Sequence, residues 1–304
     1  MKRAVRRGAA DAADAATQHP RPMLSTDQRT AYAEQGFLVL PGFKRPHETA
    51  ALARRAHELV EAFDPAQGAS RFSTRDRSLL ADERLLASAE AMHCFFEEEA
   101  LDAEGRLVVP KARSINKIGH AMHDLDPVFS AFSKGPALAE LAADLGLARP
   151  QVWQSMVIFK QPEIGGEVGW HQDASFFETE PVTVTTFWFA IEDATLDNGC
   201  LWAEPGSHRG ERGTLRERYV HDGGRLRMER LSDRPWPGRD AAVPLPVEAG
   251  TLIVFHGLLP HCSAPNRSPR SRMAYTLHAT CSTAAYSPRN WLQRSAALPV
   301  RGFD

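Results

Sequence analysis

Apolar positions recur along this chain at two periods, and the change falls near residue 150. In the first half the spacing is helical. Ser25-Thr26-Asp27-Gln28 reads as an S-x-x-Q capping box and Gly36 as a stop, which predicts a short helix between them. Phe37-Leu38-Val39-Leu40, closed by Pro41-Gly42, reads as a buried strand. Behind Pro46, the residues Leu52, Ala56, Leu59, Val60 and Phe63 recur at helical spacing. A third helix is predicted from Leu85, Leu86, Ala89, Met92, Phe95 and Phe96. A fourth carries Leu138, Leu141, Ala142 and Leu145, with Gly146 at its end.

Beyond residue 150 the apolar runs become short and rich in β-branched and aromatic residues, separated by Gly, Pro, Asn and Asp. Strands are predicted over Val152–Lys160, Thr183–Ile191, Gly199–Ala203, Val243–Val247, Thr251–Phe255 and Arg272–Cys281. Helices early and many strands late predict a mainly β sandwich or barrel with flanking helices, rather than a parallel α/β sheet. Residues 1–23 read as a disordered N-terminal tail. Residues 24–304 read as a single domain, with a helical part over 24–150 and a β-core over 151–304. One segment interrupts the β pattern: residues 205–240 hold nine arginines and six acids with little apolar periodicity. It reads either as a solvated surface insertion or as a flap over a pocket that meets an anionic substrate.

Composition narrows the function. The 304 residues are 43% hydrophobic and 24% charged, which excludes a disordered chain, a collagen-like fibre and a disulfide-stapled miniature. A net charge of −2 gives no global field for nucleic acid or an anionic membrane. No apolar run approaches the ~18 residues of a membrane helix. The first residues carry basic groups without an apolar core, so a secretory signal is not expected. Cys94, Cys200, Cys262 and Cys281 form no CxxC pair, which fits reduced thiols and a cytoplasmic setting. No GxGxxG or P-loop pattern occurs.

The chemistry concentrates in Trp170-His171-Gln172-Asp173-Ala174-Ser175. On an extended chain, residues i and i+2 point to the same face, so His171 and Asp173 can reach one ion together. That is the local half of a 2-His-1-carboxylate set. A third ligand comes from elsewhere. His261 lies 88 residues after Asp173, just past an apolar strand, and His256 competes with it. The strand that follows places Arg270, Arg272, Ala274, Thr276 and His278 on one face and Met273, Tyr275 and Leu277 on the other. An arginine facing a barrel interior calls for an anion, and its fork matches a carboxylate.

His171-x-Asp173, His261 and Arg272 together resemble the motif set of the phytanoyl-CoA dioxygenase family of Fe(II)/2-oxoglutarate oxygenases. The likeness runs from about Gly36 to the C-terminus. It takes in Gly36–Phe43, Asn116-Lys117-Ile118-Gly119-His120, the stretch Asp193–Leu201 and Pro205-Gly206-Ser207-His208. The resemblance implies a double-stranded β-helix, or jelly roll, with Fe(II) held by His171, Asp173 and His261. It implies that Arg272 pairs with the distal carboxylate of 2-oxoglutarate, helped by Ser263 and Lys117, in a pocket lined by Met156 and Trp188. Arg270 shares the parity of Arg272, and the eleven-residue offset from His261 selects Arg272. The implied reaction consumes dioxygen and 2-oxoglutarate, hydroxylates a small molecule, and releases succinate and carbon dioxide, and the arginines of 205–240 point to an anionic substrate. Related halogenases carry a small residue at the carboxylate position, so Asp173 favours hydroxylation. A 2-oxoglutarate-independent cupin-type metalloenzyme and a sensor without turnover remain as alternatives. His120, His123, His208 and His278 read as structural.

Overall fold

The computed structural model describes residues 22–65, 71–72 and 83–304. Of the expected N-terminal tail, residues 1–21 lie outside the described residues. Helix α1 (Thr26–Gln35) forms where the capping box predicts. Ser25 Oγ accepts from the Gln28 amide at 3.1 Å, and Gln28 Oε1 accepts from the Ser25 amide at 2.9 Å. The helix ends at Gly36, whose φ of 84° suits a residue without Cβ; an added Cβ would lie 2.4 Å from the His208 ring. Strand β1 (Phe37–Leu40) and helix α2 (Pro46–Ala62) follow.

The predicted third helix is corrected. Helix α3 covers only Glu83–Ala87. A 3-10 turn follows, and the chain then extends as β3 (Met92–Glu97), with β2 (Arg71–Phe72) parallel to it. Phe95 and Phe96 are both buried but belong to different clusters, which requires period-two alternation rather than one helical stripe. Strand β4 (Ile115–His120) precedes α4 (Met122–Leu125), α5 (Pro127–Ser133) and α6 (Pro136–Asp144).

The later strands are β5 (Pro150–Lys160), β6 (Val168–His171), β7 (Thr179–Glu180), β8 (Thr185–Ala190), β9 (Leu201–Ala203), β10 (Glu217–Asp222) and β11 (Arg225–Arg230). After them come β12 (Val243–Leu245), β13 (Leu252–His256), β14 (His261–Ser263), β15 (Arg272–Cys281) and β16 (Ala285–Tyr286). Eight strands form the major sheet in the order β1-β13-β8-β15-β5-β4-β3-β2. Four form the minor sheet in the order β12-β9-β14-β6. All pairings but β2–β3 are antiparallel, which suits the sandwich or barrel expected from the strand pattern and the jelly roll that the family resemblance implies. Strands β1 to β4 precede residue 150 and enter the same sheet as the later strands. The 24–150 part is therefore not simply helical.

Alternation divides the major sheet into two faces. Val157, Phe159, Phe187, Phe189, Leu252, Val254, Met273, Tyr275 and Leu277 pack with Leu52, Ala56, Val60, Phe129, Phe132, Leu138 and Leu141 of the helices. The opposite face sends Trp188, Ala190, Ile253, Phe255 and Ala274 against Cys200, Leu201, Ala203 and Leu245 around the minor sheet. A slip of one residue in β15 would exchange these faces, so burial fixes the register. No helix among the described residues is long and apolar enough to cross a membrane.

The segment 205–240, expected without strands, contains the hairpin β10–β11. Its turn is Gly223-Gly224, both at positive φ (58° and 81°), as a two-residue hairpin turn demands. On the helix-facing side, Phe189 is fully buried against the rings of Phe43, Phe132 and Tyr275. Phe189→Ala should lower stability by about 3–5 kcal/mol in urea unfolding. A loss under about 1 kcal/mol would contradict this assignment of the core face.

Candidate metal centre

His171 closes β6 and His261 opens β14, and the antiparallel pairing sets these two residues opposite each other. Their ring centroids lie 4.1 Å apart. Beyond His171 the chain turns into a short 3-10 segment, Asp173–Ser175, pinned by the Ala174 amide donating to Gly257 O at 3.0 Å. Asp173 thus stays on the side of His171. Gln172 points away and ties down the 205–240 segment: its Nε2 donates to Leu258 O and Thr214 O, and its Oε1 accepts from the Arg216 amide.

Asp173 Oδ1 lies 3.5 Å from His171 Nε2 and 3.8 Å from His261 Nε2. One donor atom from each of the three residues lies within 4.8 Å of the others. His171 Nδ1 donates to Gly169 O at 2.8 Å and His261 Nδ1 to Leu259 O at 3.0 Å. A carbonyl only accepts, so both Nδ1 atoms carry a proton and both Nε2 atoms face the shared centre, where each offers a lone pair to a metal once it is deprotonated. Burial and the neighbouring His171 draw His261 down to about 4, which keeps its lone pair available at neutral pH. Burial disfavours the Asp173 carboxylate. The charges of His261 and His278 and the hydrogen bonds of His171 and His278 nonetheless hold it well below the usual range. Two imidazole Nε2 atoms and one carboxylate on one side of a point fit an octahedral divalent ion with open positions.

Arg272 starts β15 on the inward face and is 1% exposed, whereas Arg270 is exposed outside the sheet. Its Nη2 donates to Ser263 Oγ at 3.1 Å, while Nε and Nη1 are buried without partners. Ser263 sits two residues beyond His261 on β14, so the arginine is anchored about 7 Å along that strand. The guanidinium carbon lies 5.5 Å from the Trp188 ring centre. Burial pulls Arg272 down to about 10, so it stays cationic at neutral pH. A buried fork with unpartnered nitrogens fits a carboxylate.

A cavity of about 380 Å3 opens at the centre. His171, Asp173, Lys117 and Met156 line it; His261, Ser263, Arg272 and Trp188 are not part of its wall. Phe176, Phe177, Leu226 and Trp236 supply much of its apolar surface. Strands β10 and β11 and the chain after them therefore build part of this wall. None of the nine arginines of the 205–240 segment lines the cavity. Several are paired elsewhere, as Arg218 is with Glu178 and Glu229. The arginines of this segment therefore give no direct support to an anionic substrate in the cavity.

His256 is outside the cluster, with Nδ1 accepting from the Leu258 amide at 3.1 Å and its ring 5.3 Å from His208. Sequence reasoning missed Thr186 and misjudged His278. Thr186 Oγ1 donates to Asp173 Oδ2 at 2.5 Å, and His278 Nε2 lies 3.4 Å from the same oxygen. The two residues are register partners on β8 and β15. The signal for His278 was its shared parity with Arg272. Thr186 carried none, since a threonine in a β-run is ordinary.

The phytanoyl-CoA dioxygenase (PhyH) family model matches residues 32–274. The chain belongs to the phytanoyl-CoA dioxygenase family. Relatives within it include phytanoyl-CoA dioxygenase 1 of Oryza sativa subsp. japonica, 44% identical over 278 residues, covering 90% of this chain and 96% of that protein. Another is phytanoyl-CoA dioxygenase domain-containing protein 1 of Bos taurus, 43% identical over 284 residues, covering 91% and 97%. Among solved structures, the non-heme alpha ketoglutarate dependent carbocyclase SnoK from nogalamycin biosynthesis aligns with a TM-score of 0.60 at 19% identity, covering 93% of this chain and 100% of that one. EctD from S. alaskensis, solved with 2-oxoglutarate and 5-hydroxyectoine, aligns with a TM-score of 0.59 at 23% identity, covering 92% and 88%. At these identities the two structures establish the shared fold of this family member.

Burial pushes the Lys117 ammonium down to about 7, against the pull of Glu97. The unfolded chain therefore binds the Lys117 proton more tightly, and this group makes stability rise from about pH 7 towards the unfolded value near 10.4. Wild type minus Lys117→Met stability should increase by about 1 kcal/mol per pH unit between pH 7.5 and 9.5 in urea melts. A flat difference would mean that Lys117 does not titrate in this window.

Proposed function

We propose that this member of the phytanoyl-CoA dioxygenase family binds Fe(II) through His171, Asp173 and His261. Arg272, assisted by Ser263, Lys117, Trp188 and Met156, holds 2-oxoglutarate. The reaction consumes dioxygen, hydroxylates a small molecule and releases succinate and carbon dioxide. The observation that carries this reading is the convergence of three metal-type donors near a buried guanidinium whose Nε and Nη1 lack partners.

A bound ferrous ion supplies activation of dioxygen coupled to oxidation of the 2-oxo acid. The protein's own residues supply the rest. The carbonyls of Gly169 and Leu259 set the two imidazoles, and Thr186 and His278 hold the outer oxygen of Asp173 so that Oδ1 faces the ion. The Arg272 fork meets the distal carboxylate of the co-substrate, with Ser263 fixing its rotamer. Phe176, Phe177, Leu226 and Trp236 exclude water and seat an apolar substrate body within the cavity. A carboxylate at position 173 leaves no coordination site for halide, which favours hydroxyl transfer.

Asp173→Ala should abolish succinate formation and weaken Co(II) binding, followed by its visible absorption, by at least about a hundredfold. Retained turnover would remove Asp173 from the metal shell. Arg272→Leu should raise the KM for 2-oxoglutarate at least about tenfold, and Arg270→Leu less than twofold, in a succinate assay. A reversed order would move the co-substrate anchor to Arg270. Tight Co(II) binding without succinate, across a broad substrate panel, would favour a sensor.

A further inference from the structure

Two buried cations lie side by side inside the barrel, and the reading above uses only one. Arg272 and Lys160 are direct register partners on β15 and β5, each 1% exposed. Among the described residues, neither forms an ion pair within 4 Å. Lys160 Nζ donates to Gly166 O at 2.5 Å and to Ser263 O at 3.4 Å. Ser263 Oγ accepts from Arg272 Nη2 and donates to Gly199 O at 2.8 Å. Gly199 is shaped around the lysine stem: at its φ of 89°, an added Cβ would sit 2.8 Å from Lys160 Cδ. Ser263 is thus held from both sides, by Arg272 through its hydroxyl and by Lys160 through its carbonyl.

We infer that Lys160 is a positioning and specificity residue for the dicarboxylate co-substrate. It acts through Ser263 and through its charge beside Arg272, and this inference rests on the 2-oxoglutarate reading above. Two adjacent buried basic groups with no acid in direct contact are costly to charge together in the folded chain. An ammonium has three donors, and Lys160 has two of them placed on carbonyls. A carboxylate arriving at Arg272 brings the missing negative charge to both groups. Burial and Arg272 push the Lys160 amine well below its ordinary range, with Glu97 and Glu167 opposing, and a carboxylate arriving beside it would favour the ammonium. A 2-oxo monoacid lacks the distal carboxylate and cannot draw on this pair, so Lys160 contributes to choosing the diacid.

The test compares binding of 2-oxoglutarate and 2-oxopentanoate to the full chain loaded with Co(II), followed by tryptophan fluorescence, because Trp188 lies beside the guanidinium. Wild type should prefer the diacid. Lys160→Met should weaken 2-oxoglutarate binding about tenfold and leave 2-oxopentanoate within twofold, so the preference shrinks by that factor. Lys160→Arg should recover part of it. In the succinate assay, Lys160→Met should raise the KM for 2-oxoglutarate far more than it lowers kcat. Equal weakening for both acids, or no change for the diacid, would overturn the inference. Should Lys160→Met fail to fold, Lys160→Gln serves the same comparison. Absence of 2-oxoglutarate binding in wild type would instead overturn the co-substrate reading itself.

Discussion

The pairing of β14 with β6 is the constraint on which the candidate centre depends. It sets His261 opposite His171, so two residues 90 positions apart share one face at one level. The chain then needs only the turn after His171 to bring Asp173 under both imidazoles. Backbone hydrogen bonds carry this geometry. The side chains inherit their positions from a ladder that the minor sheet, packed on the major one, keeps in register.

The major sheet makes the complementary contribution. Its helix-facing side is apolar and resembles any protein core. Its inward side carries Lys117, Gln154, Lys160, Thr186, Arg272 and His278. Burying such groups opposes folding unless each finds a partner. Some do: Thr186 and His278 meet Asp173, and Lys160 meets two carbonyls. Others, such as Arg272 Nε and Nη1, do not. Stability is thus concentrated on one face of the sheet, and polarity matched to small charged guests on the other.

The 205–240 segment links the two. Gln172, between the two candidate ligands, reaches it through three hydrogen bonds, and β10, β11 and the chain after them then wall the cavity. Some of its arginines pair with acids, as Arg218 does with Glu229, while Arg216 is buried over the Trp236 ring. A composition count sees only the arginines. What each one meets follows from the folded segment.

Much of this protein was legible in the order of its residues. Local rules wrote the caps of α1, the alternation of β15 and the shared face of His171 and Asp173, because each depends on neighbours within a few positions. The choice of Arg272 over Arg270 rested on an offset that parity could not supply; in the fold only Arg272 is buried. Other features were set by contacts distant in sequence. Phe95 and Phe96 fit a helical stripe on paper, yet pairing of β3 with β4 drew them to opposite faces. Thr186 and His278 gained Asp173, and Lys160 gained Ser263, only when the two sheets came together. Hydrogen bonds and charge contacts act over a few ångströms in space, whatever the separation along the chain. A linear pattern can therefore fix which face a residue points to, but only the assembled sheets decide what it meets there.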